Sequence, residues 1–264
     1  MREVIGFDCE GDRLAGTLDH GAGRTGLLIV SGGNEIRIGA HRGMASLARK
    51  VAAAGYPVMR YDRRGIGDSE GENRGFQASA EDIAAAARTF RQALPIERIV
   101  GLGNCDAATA LALFHQRAGI DALLLANPWV IEDDGALPPP AAIRARYAER
   151  LRDPRQWLRL AQGRVNIGKL IKGLARSAKP ASEENWLMND MAAALASSDA
   201  QTMILLAERD NTAIAFHAAF QQAAFAPVRA RVDVATRETP SHSFAREGDR
   251  DWLFEKVIEA LDRP

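Results

Sequence analysis

The chain has 264 residues, of which 47% are hydrophobic and 26% charged, a balance typical of globular proteins. Its 34 Lys and Arg residues equal its 34 Asp and Glu residues, so the net charge of zero gives no reason to expect a nucleic-acid partner. The N-terminus lacks the apolar core of a signal peptide, and no apolar run reaches the roughly 18 residues of a membrane span, so we expect a cytoplasmic protein without a transmembrane segment.

Short apolar runs alternate with segments of helical periodicity along most of the chain. Two alternating segments on either side of Glu10-Gly11 predict an N-terminal hairpin. Further strands are predicted at 26–30, 56–62, 98–103, 121–128, 201–210 and 228–235. Helices are predicted at 44–55, at 79–94 with Ser79 as N-cap, and at 105–117, 211–224 and 249–262. This order predicts an α/β fold in which helices cover both faces of a mostly parallel sheet.

Residues 131–198 interrupt this alternation. They begin with the turn-rich stretch EDDGALPPP and continue with helical patterns that contain no strand. We therefore expect a helical cap or lid, inserted into a core formed by residues 1–130 and 199–264. Residues 141–180 carry eleven Lys and Arg against two acidic residues. Three alternatives remain for this basic stretch: a packed helix with solvated lysines, contact with a membrane surface or an acidic partner, or selection of an anionic substrate.

The segment GLGNCDAATA, residues 101–110, contains the candidate nucleophile. Gly103 and Ala107 flank Cys105 at two positions on either side, which matches the small-x-nucleophile-x-small pattern of a nucleophile elbow. The elbow places its central residue between a strand and a helix, where the helix N-terminus favours a thiolate. The N–H of Asp106 is then one oxyanion-hole donor. The alternative is a small buried cysteine that happens to follow a strand.

The partners of Cys105 should follow it in the order acid and then histidine. His242, in the stretch TPSHSFA, lies in a loop after the last predicted strand and before the last helix, where a general base is expected. Asp210 is the preferred acid because it stands past the apolar run of its strand. Glu208 on the same strand is the alternative, and Asp133 and Asp134 are a further one.

The second oxyanion donor is expected from the loop after the strand at 26–30. Gly32, Gly33 and Asn34 supply an open backbone there, and glycine permits a close approach to the nucleophile. The two cysteines, Cys9 and Cys105, have no metal-ligand spacing, so we expect neither a metal nor a cofactor. A disulfide between them remains open at this point.

Several separated blocks resemble the first family of exosortase A system-associated α/β-hydrolases. They are IVSGGNEIRIGAHRGMASLARKVAAAGYPVMRYDRRGIGDSEGENRGF, GLGNCDAA, LLLANPWV, AERDNTAIAF and SHSF, in this order along nearly the whole chain. The resemblance implies an α/β-hydrolase with Cys105 as nucleophile and Asp210 and His242 completing a triad. It also implies a bacterial setting linked to exopolysaccharide production and surface-protein sorting.

The chain departs from that family in the loop after the first parallel strand. Glu35 stands where the family has an uncharged residue, whereas Arg37 and His41 are retained. We take these three as candidate substrate-contacting or site-shaping residues. Glu35 could pair with Arg37 or His41, or disfavour a thiolate by like-charge repulsion.

Together these observations predict a hydrolase that cleaves an ester, thioester or similar acyl bond of a small molecule through a covalent thioester on Cys105. Two alternatives remain open. The same thioester could be intercepted by an alcohol or an amine, which would make the protein an acyltransferase. A non-catalytic binding protein of the same fold is the other alternative.

Overall fold

The computed structural model of the protein describes residues 1–131 and 185–264. These residues form one sheet of eight strands: β1 (Arg2–Cys9), β2 (Asp12–Asp19), β3 (Thr25–Val30), β4 (Val58–Tyr61), β5 (Arg98–Asn104), β6 (Ala122–Ala126), β7 (Gln201–Ala207) and β8 (Asp233–Arg237). The order in the sheet is β1-β2-β4-β3-β5-β6-β7-β8. β1 pairs antiparallel with β2 and β2 antiparallel with β4, and all other pairs are parallel.

Seven helices accompany the sheet in the described ranges: α1 (Gly43–Ala53), α2 (Ala80–Ala93), α3 (Asp106–Ala118), α4 (Trp186–Ala196), α5 (Asn211–Phe220), α6 (Ala226–Arg229) and α7 (Asp249–Asp262). None of them has the length and apolar character needed to cross a bilayer. Side chains alternate along a strand, so Leu28 and Val30 of β3 pack with α2 and α3, whereas Leu27 and Ile29 pack with α1 and α7. The predicted α/β architecture, with both faces of the sheet covered, is confirmed.

One local prediction is wrong, and a second is confirmed in position only. The strand predicted at 228–235 begins only at Asp233, because residues 226–229 form the short helix α6, whose first turn contains Pro227. Proline fits there because the first residues of a helix need no N–H donor. Ser79 is the N-cap residue of α2 as expected, but its hydroxyl donates to the Phe76 carbonyl at 2.6 Å and makes no capping hydrogen bond to the helix.

The expected cap at 131–198 lies mostly outside the described residues, as do its basic stretch 141–180 and the acidic residues Asp133 and Asp134. Its last part is described and forms α4, which packs against α3. Met191 and Leu195 of α4 are buried in the same apolar core as α2 and α3. The division into core and cap stays a prediction.

The junction between β5 and α3 is a sharp turn at Cys105. This residue has φ 63° and ψ −127°, a conformation that residues with a Cβ rarely adopt. The turn is compact because its neighbours lack side chains. A Cβ on Gly103 would lie 2.6 Å from the carbonyl carbon and oxygen of Ala107, and one on Gly32 would lie 2.5 Å from the Asn104 carbonyl oxygen.

We predict that Gly103→Ala lowers the free energy of unfolding by about 1–3 kcal/mol, the range for overpacked sites, because its Cβ collides with backbone atoms. Gly101→Ala on the same strand is the matched control. Its Cβ would lie 3.1 Å from side-chain atoms of Leu111 and Ile120, which can shift. Urea unfolding of both variants measures the difference. Equal losses would contradict the steric account of the turn.

Candidate active site

Three loops meet at the carboxyl edge of the parallel strands, where ligands bind in open α/β sheets. Cys105 follows β5, Asp210 follows β7, and His242 follows β8. The Nδ1 atom of His242 lies 2.9 Å from Oδ2 of Asp210. The imidazole also lies near enough to the Cys105 side chain for that side chain to raise the pKa of His242. The structure thus brings together the three residues that the sequence singled out.

Asp210 is both the partner of His242 and the N-cap of α5. Its Oδ2 atom accepts hydrogen bonds from the N–H groups of Thr212 at 3.0 Å and Ala213 at 3.2 Å. Burial alone would raise the pKa of Asp210, but the hydrogen bond and charge of His242 together with these two N–H groups outweigh burial and lower the pKa. The carboxylate is therefore fixed in orientation and in its charged form.

His242 is held in its protonated form by its two partners. Burial alone would lower the pKa of His242, but the hydrogen bonds and charges of Asp210 and Cys105 outweigh burial and raise the pKa to about 10. The side chain of His242 remains 37% exposed, whereas that of Asp210 is 12% exposed. A protonated imidazole in this setting can donate its proton to a leaving group, and its exposed part is within reach of a substrate.

The other acidic candidate, which directly follows β7, is not part of this arrangement. Glu208 is exposed, and its backbone N–H donates to the Arg237 carbonyl at 2.9 Å. Asp210, two residues further on, is the carboxylate that reaches His242. The preference for Asp210 over Glu208 therefore agrees with the geometry.

The loop after β3, from which a second oxyanion donor was expected, makes one contact that the sequence did not predict. The N–H of Gly33 donates to Oδ1 of Asp106 at 2.7 Å, so a carboxylate already occupies this predicted donor. Gly33 can serve an oxyanion only after the Asp106 side chain turns away. The Gly32 carbonyl accepts from the Glu35 N–H at 3.0 Å, which closes a tight turn around Gly33 and Asn34. The Asn34 side chain accepts from Asn73 at 2.9 Å.

Arg37 lies in this loop and forms ion pairs with two carboxylates. Its guanidinium pairs with the fully buried Asp62, and with Asp68 at 2.9 Å. The suggested ion pair between Glu35 and Arg37 is therefore wrong, because Asp62 and Asp68 take the guanidinium. Glu35 is exposed, and so is His41, which has a left-handed backbone with φ 52°.

Cys9 and His115 are buried and are not part of the arrangement of Cys105, His242 and Asp210. Cys9 is free and buried, and burial, followed by the nearby Asp82, raises the pKa of its thiol to about 12. Cys105 is free as well, so the disulfide considered above is absent.

His115 lies 2.6 Å from the Ser198 hydroxyl and connects α3 to the loop after α4, and burial lowers the pKa of His115. Within residues 1–131 and 185–264, no group of His, Cys, Asp and Glu could hold a metal ion.

Three solved structures illustrate the fold similarity. An esterase of Pyrococcus furiosus has a TM-score of 0.68 at 15% identity, covering 100% of this chain and 91% of that chain. An α/β-hydrolase from a Penicillium species has a TM-score of 0.65 at 19% identity, covering 100% and 98%. The thioesterase domain from the curacin biosynthetic pathway has a TM-score of 0.61 at 13% identity, covering 98% and 99%. Identities this low establish the fold alone.

No curated protein matches the chain. The family described as serine aminopeptidase S33, a family of hydrolases, matches residues 24–226. This range includes the turn at Cys105 and the loop of Asp210, and it ends before His242. Because the match covers more than half of its residues, the chain belongs to the serine aminopeptidase S33 family of α/β-hydrolases.

Proposed function

We propose that the protein hydrolyses an ester or thioester bond of a small molecule, with Cys105 as the nucleophile. The observation that supports this most directly is the meeting of Cys105, His242 and Asp210 at the carboxyl edge of the sheet, where His242 Nδ1 lies 2.9 Å from Oδ2 of Asp210 and Cys105 helps to raise the pKa of His242. The family is named for serine enzymes, and in this chain a cysteine stands at the turn where the nucleophile of an α/β-hydrolase lies.

Acylation begins with the proton of Cys105 already on His242, whose raised pKa favours the imidazolium, and with the sulfur as a thiolate. The sulfur forms a bond to the carbonyl carbon of the substrate, and the carbonyl π electrons move to its oxygen. When the tetrahedral intermediate collapses, the bond to the leaving group breaks, and the departing oxygen or sulfur takes the proton from His242. Asp210 keeps the imidazole in one orientation and supports its positive charge throughout.

Deacylation uses the same groups in reverse. His242 takes a proton from water, the hydroxide oxygen bonds to the thioester carbon, and the sulfur of Cys105 leaves with its electron pair. The free N–H of Asp106 at the start of α3 is the first donor to the oxyanion in both steps. Such a donor typically lowers a barrier by about 3 kcal/mol. The Gly33 N–H is the second once the Asp106 carboxylate has moved.

The substrate remains defined by bond type alone. The link to exosortase and exopolysaccharide systems rests on the sequence resemblance and stays a prediction. Selection of an anionic substrate by the basic stretch at 141–180 also stays a prediction, because that stretch lies outside the described residues.

We predict that Cys105→Ala lowers kcat for a short activated thioester and its ester by on the order of 10³-fold or more, because the covalent route is lost. Cys9→Ala is the matched control, since Cys9 is buried away from the site and should leave turnover near that of the wild type. Steady-state kinetics on folded samples of both variants measure the effect. Turnover that survives in Cys105→Ala would contradict the proposal and favour the binding protein.

We also predict a stability that depends on the charge of His242. The pKa of His242 rises from the usual 6.5 to about 10 on folding. Its contribution to the free energy of unfolding is therefore fully present below pH 6.5 and is lost as the pH rises through 10. The free energy of unfolding of the wild type, relative to His242→Gln, should therefore fall over this pH range. Urea unfolding across a pH series measures it.

Asp210→Asn tests the ion pair between Asp210 and His242 by changing the aspartate. Asparagine is also a good N-cap, so this variant keeps the cap of α5 and removes the charge that stabilises the imidazolium. The pH-dependent fall between 6.5 and 10 should be weaker in Asp210→Asn than in the wild type. If the free energy of unfolding fell as steeply with pH in Asp210→Asn and His242→Gln as in the wild type, the pH dependence would come from another group.

A further inference from the structure

Asn127, the residue directly after β6, has an unusual position in the interior. It is completely buried, at 0% exposure, and has φ 42°. Asparagine is one of the few residues other than glycine that adopt this backbone conformation readily. Its N–H donates to the Leu205 carbonyl at 2.8 Å, so the residue stays paired with β7 while the chain turns.

The side-chain amide of Asn127 contacts three separate segments. Its Oδ1 accepts from the N–H of Ala207 at 2.8 Å. Its Nδ2 donates to the backbone carbonyl of His242 at 2.9 Å and to Oδ1 of Asn104 at 3.1 Å. Ala207 ends β7 and stands three residues before Asp210, and Asn104 directly precedes Cys105. One amide therefore joins the segments that carry all three proposed catalytic side chains.

This set of contacts requires an amide at the position. Both hydrogens of Nδ2 and one lone pair of Oδ1 are used. Leucine, of similar size, would leave the Ala207 N–H without its partner, and a carboxylate would present oxygen to two acceptors. A role in packing alone needs no polar atoms at a site with 0% exposure, so the contacts indicate that the amide sets the positions of the loops.

We propose that Asn127 is a positioning residue, which holds the turn at Cys105 and the loop of His242 at their working separation. The inference rests on the proposed function, because it assigns Asn127 to the same Cys105–His242 pair. Asn127 does not touch the reacting atoms. It acts through Asn104 on one side and the His242 backbone on the other.

Asn127→Gly tests this, because glycine accepts the positive φ and removes all three side-chain hydrogen bonds. Asp121→Ala is the matched control at the other end of β6, where Asp121 accepts from the Ile99 N–H at 2.7 Å. We expect kcat for the activated thioester to fall by about tenfold or more in Asn127→Gly with KM changed by less than about twofold. Asp121→Ala should leave kcat within about twofold of the wild type.

A second measurement separates positioning from general destabilisation. The NMR titration of the His242 ring should have its midpoint near pH 10 in the wild type and in Asp121→Ala. In Asn127→Gly the midpoint should move down towards 6.5, because the contacts of His242 with Asp210 and Cys105 loosen. If Asn127→Gly does not fold, Asn127→Ser replaces it, since its short side chain cannot make all three contacts.

A variant that loses stability but keeps kcat and the His242 midpoint would overturn the inference. Failure of the proposed function would look different, because turnover would then survive in Cys105→Ala. In that case the His242 titration still decides whether Asn127 positions the histidine.

Discussion

The strained backbone of Cys105 sets the geometry of the whole site, because it directs one side chain away from both the strand before it and the helix after it. A conformation of this kind costs about 1–3 kcal/mol and persists only where the surroundings enforce it. Here β5 lies between β3 and β6, and the Cys105 N–H donates to the Ala126 carbonyl at 2.9 Å. Gly32 and Gly103 allow neighbouring backbone to approach closely enough to hold the turn.

The same helix N-terminus that favours a thiolate also attracts the carboxylate of Asp106. The side chain folds back onto the Gly33 N–H, which we propose as a donor to the oxyanion. Helix N-termini favour negative charge, so a resident carboxylate and a substrate oxyanion compete for the same environment. In the structure the carboxylate of Asp106 therefore occupies the Gly33 N–H, one of the two donors that we propose for the oxyanion.

The sequence was sufficient to predict the fold and the meeting of Cys105, Asp210 and His242, because each follows from a local pattern. Apolar runs and helical periodicity predicted the alternation of strands and helices, and the chain order of Cys105, Asp210 and His242 predicted their meeting at one sheet edge. No local sequence pattern indicated the hydrogen bonds that Asp106, Arg37 and Asn127 form around the site. Asp106 bonds a residue 73 positions away, Arg37 one 25 positions away, and Asn127 one 115 positions away. Which of several polar partners such a side chain selects depends on the packed tertiary structure.

In the proposed mechanism Cys105 carries the acyl group during turnover. Rapid mixing with an activated acyl thioester, followed by acid quench and mass spectrometry of the peptides, tests this most directly. We expect an adduct of the acyl mass on the peptide that contains Cys105, formed before steady state and lost when the substrate is exhausted. Turnover without an adduct, or an adduct confined to another residue, would contradict it.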